Sequence, residues 1–170
     1  LLQALSDEQG KTNEQQELEY CQAVILSVVD DIGIRTIMDI LMISAKSECL
    51  STRKSAASLL SAFCTHSSAD YSQYVPQLLR CLLRLMAESD KVILQRSWDA
   101  LNSVVKGLDP AQQIAHVTDV RQAVRFAASD LNEPELPGFC LPKGITPLLP
   151  VFREAILNGL PEEKENAACG

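Results

Sequence analysis

Between Tyr74 and Leu108 the apolar residues fall on two helical faces. Val75, Leu78, Leu79, Leu82, Leu85 and Met86 recur at steps of three and four, the spacing of one side of an α-helix. Pro76 fits the first turn, where a missing N–H leaves no bond unmade. The polar run from Ala87 to Asp90 interrupts the pattern, and Ser89 or Asp90 supplies a cap for a second helix. In that helix Leu94, Trp98, Leu101, Val105 and Leu108 follow at steps of four, three, four and three, and Gly107, Asp109 and Pro110 close it. A helix with one apolar stripe is stable only against a partner, so the two predict a packed pair.

The rest of the chain repeats this grammar. Leu1, Leu2 and Leu5 look like the last turn of an element cut off upstream. Thr12 and Gln15 have the form of a capping box, followed by a stripe of Leu18, Cys21, Ile25 and Val28 that Asp30 to Gly33 ends. A helix over 34–47 is expected to bury Ile37, Ile40, Leu41 and Ile43. Another, over 53–65, is expected to bury Ala56, Leu59, Leu60 and Phe63. Asp109, Pro110 and Gln112 start a further helix that Ile114, Val117, Val120, Val124 and Ala127 carry to about Ser129. The segment 131–143 holds three prolines and one glycine and cannot be a regular helix. Leu136, Phe139 and Leu141 in it are expected to plug the end of a helical layer rather than to serve recognition. Ile145 to Leu157 resumes the helical spacing, Gly159 fits a C-terminal cap, and Pro161-Glu162-Glu163 begins another helix.

Helix, polar corner, helix thus occurs twice, over about 34–65 and 71–108. Aligning Ala57 with Ala100 gives a period of 43 residues, inside the ~40–47 of HEAT repeats. The expected fold is all-α, a HEAT-repeat α-solenoid of stacked antiparallel helix pairs, as one segment over residues 1–170. For the central pair alone, a hairpin from an ordinary helical bundle is the alternative. The extra helix at 109–129, the loop at 131–143 and a partial pair at 144–170 complete the segment. Both ends look cut from a longer array, which should leave apolar end faces.

Composition narrows the function classes. Aromatics are 5% of the chain, which suits helix packing better than a sheet. The net charge of −7 and dispersed basic residues, with no run longer than Arg53-Lys54, argue against direct nucleic-acid binding by this segment. No apolar run reaches the ~18 residues of a membrane span, and the N-terminus does not read as a signal peptide. The six cysteines form no Cys-x-x-Cys pair and read as reduced thiols of a cytosolic protein.

Candidate chemistry is sparse. His66 and His116 are the only histidines. Cys64 and His66 stand two apart, so a helix would point them different ways. A dyad of Cys140 and His116 would need the fold to join them and an orienting third group. No glycine-rich phosphate loop is present. We therefore assign no catalytic, cofactor-binding or metal-binding residue and expect no cofactor. Trp98 is expected in the core. Glu14, Glu17 and Glu19, with Asp7 and Glu8, form an acidic surface whose default is solvation; the sharper reading is docking of a basic partner.

Three stretches together resemble one family. They are Tyr20 to Val28; Ala69-Asp70-Tyr71 leading to Ser97-Trp98-Asp99-Ala100-Leu101-Asn102 and Leu108-Asp109; and Pro137-Gly138-Phe139-Cys140-Leu141-Pro142-Lys143-Gly144 with Leu149 to Glu154. They are similar to the very large HEAT-repeat translational activator of general amino-acid control, the ribosome-associated activator of the initiation-factor-two-alpha kinase. The proline-glycine-phenylalanine-cysteine loop is the most specific part, since packing does not dictate it. The resemblance implies a cytoplasmic, non-catalytic scaffold of the amino-acid starvation response, with the ribosome and that kinase as partners. It implies no kinase-contacting residue here, because no matching contact motif is present. The alternative is a HEAT or armadillo adaptor of nuclear transport or of a phosphatase.

Overall fold

One helix is buried on nearly every side. It is α4, Val75–Leu85, in which Leu78, Leu79, Cys81, Leu82 and Leu83 are all buried and Arg80 and Arg84 reach solvent. The computed structural model describes residues 2–131, 136–142 and 144–170, with side chains from residue 13 onward except those of residues 130 and 131. Among the described residues the structure is helical, without strands. In order, the other helices are α1 Leu2–Ser27, α2 Asp31–Ser44, α3 Leu50–His66, α5 Lys91–Gly107, α6 Pro110–Ala115, α7 Val117–Leu131, α8 Leu149–Asn158 and α9 Pro161–Ala168. Short 3-10 turns lie at Ser72–Tyr74, Pro137–Cys140 and Thr146–Leu148.

Helix starts follow the capping residues. The Asp90 carboxylate accepts the Val92 and Ile93 N–H groups at 3.0 and 3.2 Å and opens α5. Asp109 and Gln112 form a complete capping box at α6, with bonds of 2.8 and 3.0 Å. Asp30 caps α2 through the Gly33 N–H at 2.8 Å, so the aspartates expected to end the first helix start the second instead. At the C-terminal end, the Glu163 carboxylate accepts the Leu160 N–H at 2.6 Å ahead of α9.

Four local expectations are corrected. Gly10 and Thr12 lie inside one continuous α1, not at a break. A single helical Gly costs ~1 kcal/mol, too little to split a run of good helix formers. In α2 the buried line is Ile34, Met38 and Leu41, continued by Ala45, while Ile40 and Ile43 are 57% and 72% exposed. In α1 Cys21 is exposed and Ile25 carries the burial. The stretch 109–129 is two helices, α6 and α7, broken at His116.

The helices form two rows. α1, α3, α5 and the Thr146–Leu148 turn lie side by side in one row; α4, α7 and α9 form the other. α2 packs on α3, while α4 with α5 and α8 with α9 link the rows. Buried positions recur between pairs: Ile34, Met38 and Leu41 return as Leu78, Leu82 and Leu85, each 44 residues on. Ala56, Leu60 and Cys64 return as Ala100, Val104 and Leu108 at the same offset. The period is one residue longer than matching Ala57 to Ala100 suggests, because α3 carries adjacent buried alanines.

The described part of the loop docks on the end of α4. Leu136 and Gly138 are buried, Phe139 packs against the core, and the Gly138 N–H donates to the Met86 carbonyl at 2.8 Å. A Cβ on Gly138 would lie 2.8 Å from that oxygen and 2.7 Å from Met86 Cε. We expect Gly138→Ala to destabilise the chain by ~1–3 kcal/mol in urea unfolding. Gly107→Ala, where an added Cβ meets nothing within 4 Å, should stabilise it by ~0.5–1 kcal/mol.

Candidate docking surfaces

Charge is concentrated at the corner between α4 and α5. Arg53 Nε sits 2.9 Å from Glu88 Oε1, and its Nη1 donates to the Ser47 and Glu48 carbonyls at 2.8 Å each. Lys54 Nζ lies 2.9 Å from Asp90 Oδ2. The longest basic run of the sequence is thus engaged in holding α3 to the next corner. Lys54 above all holds the Asp90 carboxyl below the usual carboxylate range. Arg80 reaches Asp119 at 2.9 Å and ties α4 to α7.

His116 Nδ1 faces Asp119 Oδ2 at 3.6 Å, and Cys140 Sγ lies 3.5 Å from the Leu136 carbonyl. Cys64 is buried, its thiol pushed up to about 12 by desolvation, while His66 is exposed at the end of α3. Burial likewise raises Cys81 to about 11 and Tyr71 to about 12; the Tyr71 hydroxyl donates to the Cys64 carbonyl at 3.1 Å. Cys49 is the opposite case: it is exposed, and hydrogen bonding led by Ser51 lowers its thiol to about 6. Among the described residues no group of three or more His, Cys, Asp and Glu side chains is placed to hold a metal, and no helix is long and apolar enough to cross a membrane.

Trp98 is half-buried, not in the core as expected. The α5 core is Ile93, Leu94, Ala100, Leu101, Val104 and Val105, and Trp98 sits at its margin beside Leu141 and Pro142 of the loop. Glu14, Glu17 and Glu19 are exposed on α1; the Asp7 and Glu8 side chains lie outside the described residues. Apolar side chains are exposed on α1 at Tyr20 and Val24 and on α8 at Leu149, Ile156 and Leu157, the last three lining a groove of about 880 Å³.

A polar groove of about 450 Å³ crosses α1, α3 and α5. Gln22 comes from α1, Ser58 and Ser61 from α3, and Arg96, Asp99 and Asn102 from α5. The sequence signal for it was Ser58 and Ser61 beside the buried stripe of α3, which an apolar-only reading passes over.

Stacked helix pairs in two rows, with burial recurring at a fixed offset, define a HEAT-type helical repeat protein. A family model described as "Stalled ribosome sensor GCN1-like, HEAT repeats" matches residues 1–143, and the chain belongs to this family. It is 44% identical over 168 residues to the mouse protein named "Stalled ribosome sensor GCN1", covering 98% of this chain and 6% of the relative. Its human counterpart is 43% identical over 166 residues, with 97% and 6% covered. The "eIF-2-alpha kinase activator GCN1" of Saccharomyces cerevisiae is 24% identical over 145 residues, with 85% and 5% covered. The chain therefore spans about one-twentieth of the length of these relatives. No solved structure matches it.

Two outcomes follow from the ionisable groups. A lowered carboxyl pKa stabilises the fold above the unfolded value near 4 and is lost as pH falls through the folded value. Asp90→Asn, which keeps a capping oxygen, should therefore lower Tm at pH 7, and the difference should shrink toward pH 3. Among the described cysteines, iodoacetamide at pH 7 followed by mass spectrometry should modify Cys49 first. Cys64 and Cys81 should react only in denaturant.

Proposed function

We propose that this chain is a non-catalytic scaffold segment in translational control, acting in the amino-acid starvation response. The observation that carries the reading is 43–44% identity over nearly the whole chain to proteins named as stalled ribosome sensors. The yeast relative's name adds activation of the eIF-2-alpha kinase. The ribosome and that kinase are the partners this reading assigns, with other proteins held on the solenoid faces. A cytoplasmic, ribosome-associated location goes with them.

The geometry supports a scaffold in a specific way. Paired helices give a row of surfaces at fixed spacing, and the Arg53, Lys54, Tyr71 and Cys140 side chains serve corners and packing. The helix pairs over 34–65 and 71–108 are its repeat units, with 109–129 and 144–170 laid against them in one continuous segment. The engaged Arg53 and Lys54 and the net charge of −7 disfavour direct nucleic-acid contact, so the reading favours ribosomal protein surfaces. No observation favours an adaptor of nuclear transport or of a phosphatase.

Co-sedimentation with purified ribosomes tests this. The chain should pellet at low salt and still pellet near 0.15 M salt, where exposed charge pairs are screened beyond ~8 Å. A chain that stays in the supernatant in both conditions overturns ribosome contact by this segment.

A further inference from the structure

We propose that the solvent face of α4 and α7 docks an acidic segment of a partner protein, with Phe126 as the apolar anchor and Lys46, Arg84 and Arg125 as the charge partners. On α4 the buried positions leave one narrow exposed line, Gln77, Arg80 and Arg84, at steps of three and four. On α7 Val117, Val120, Ala123 and Ala127 are buried, so Gln122, Arg125 and Phe126 face away from the core. The two helices pack side by side in one row, and the Arg80–Asp119 ion pair holds their edges together. Their exposed lines therefore form one surface. Lys46, exposed just past α2, adjoins it. Burial has the largest effect on the Cys81 thiol and raises it; Lys46 and Arg84 both act against that, so the two cations stand near one point of α4. Beyond α7 the row turns acidic at α9, where exposed Glu162 and Glu165 bound the surface.

Charge says which ligand. The chain has 22 acidic and 15 basic residues, yet α4 carries two arginines and no acidic residue. Arg53, Lys54 and Arg80 each face a carboxylate, whereas Lys46, Arg84 and Arg125 form no ion pair among the described residues. Phe126 is 68% exposed, while Phe63, Phe139 and Phe152 belong to the core or pack against it. Arginine and aromatic side chains are the ones enriched where proteins bind one another. Unpaired cations around an exposed ring are complementary to carboxylates around an apolar side chain. A nucleic acid fits less well. Its binding rests on neutralising many phosphates, and three free cations in a chain of net charge −7 are few. A single ring is also no platform for successive bases.

The test is panning a phage-displayed library of random dodecapeptides on the immobilised 170-residue chain. Enriched sequences should carry an excess of Asp and Glu around a Leu, Ile or Phe. Fluorescence anisotropy then measures the leading peptide against the parent, an Arg84→Glu/Arg125→Glu variant and a Phe126→Ala variant. All three positions are exposed, so both variants should keep the parent's circular dichroism and Tm. Each variant should bind at least tenfold more weakly, and the parent should lose affinity as salt rises to about 0.3 M. Failure to enrich any peptide over uncoated support overturns the proposal, as do enriched sequences without the acidic excess or equal binding by either variant. An oligouridylate that binds the parent more tightly than the peptide and is lost in the arginine variant also overturns it, and gives the surface to nucleic acid. Ribosome pelleting is read separately. A chain that pellets but selects no acidic peptide loses only this surface; one that selects such peptides and never pellets loses only ribosome contact.

Discussion

The approach of α3 to α5 is the contact on which the rest of the fold depends. It is made possible by small side chains: Ala56, Ala57, Ser58 and Ser61 on one helix, and Ser97 and Ala100 on the other, are all buried. Ser97 is fully buried with its hydroxyl unpaired, so the site selects a small residue rather than a polar one. Close backbone approach lets Leu60, Phe63, Leu101 and Val104 form the core shared by both repeat units. Larger side chains along this seam would separate the helices and withdraw α4, α1 and the Thr146–Leu148 turn from the surfaces they cover.

Around that seam the connections are pinned by directed bonds rather than by apolar contact. Asp90 caps the N-terminus of α5 while Lys54 of α3 pairs with it, so one carboxylate serves both cap and clamp. The Gly138 N–H reaches the carbonyl of Met86, the C-cap of α4, an acceptor that a helix terminus leaves without an intrahelical partner. At the far end Asn166 of α9 is held by Arg121 and by Thr118 of α7.

The repeat architecture was legible because α4 and α5 are apolar where helical spacing demands it, and because Asp109 and one of Ser89 and Asp90 read as caps, of which the structure uses Asp90. What stayed hidden depends on neighbours. In α2, isoleucines occupy several faces, and only the position of α3 decides that Ile34 is covered and Ile43 is not. Trp98 lies on the same helical stripe as Leu101, but its ring comes to the margin where the loop arrives. The groove was invisible because a serine within a helix carries no periodic signal; its meaning comes from α1 and α5 standing on either side.

The two ends of the α3–α5 seam are fastened by different forces. Near the starts of these helices the fastening is ionic, through Arg53–Glu88 and Lys54–Asp90; near their ends it is the neutral Thr65–Ser103 hydroxyl pair. Dissolved ions weaken the first and leave the second almost untouched. The two fastenings therefore differ in salt dependence, while the buried alanines and serines between them hold the seam together whatever the ionic strength.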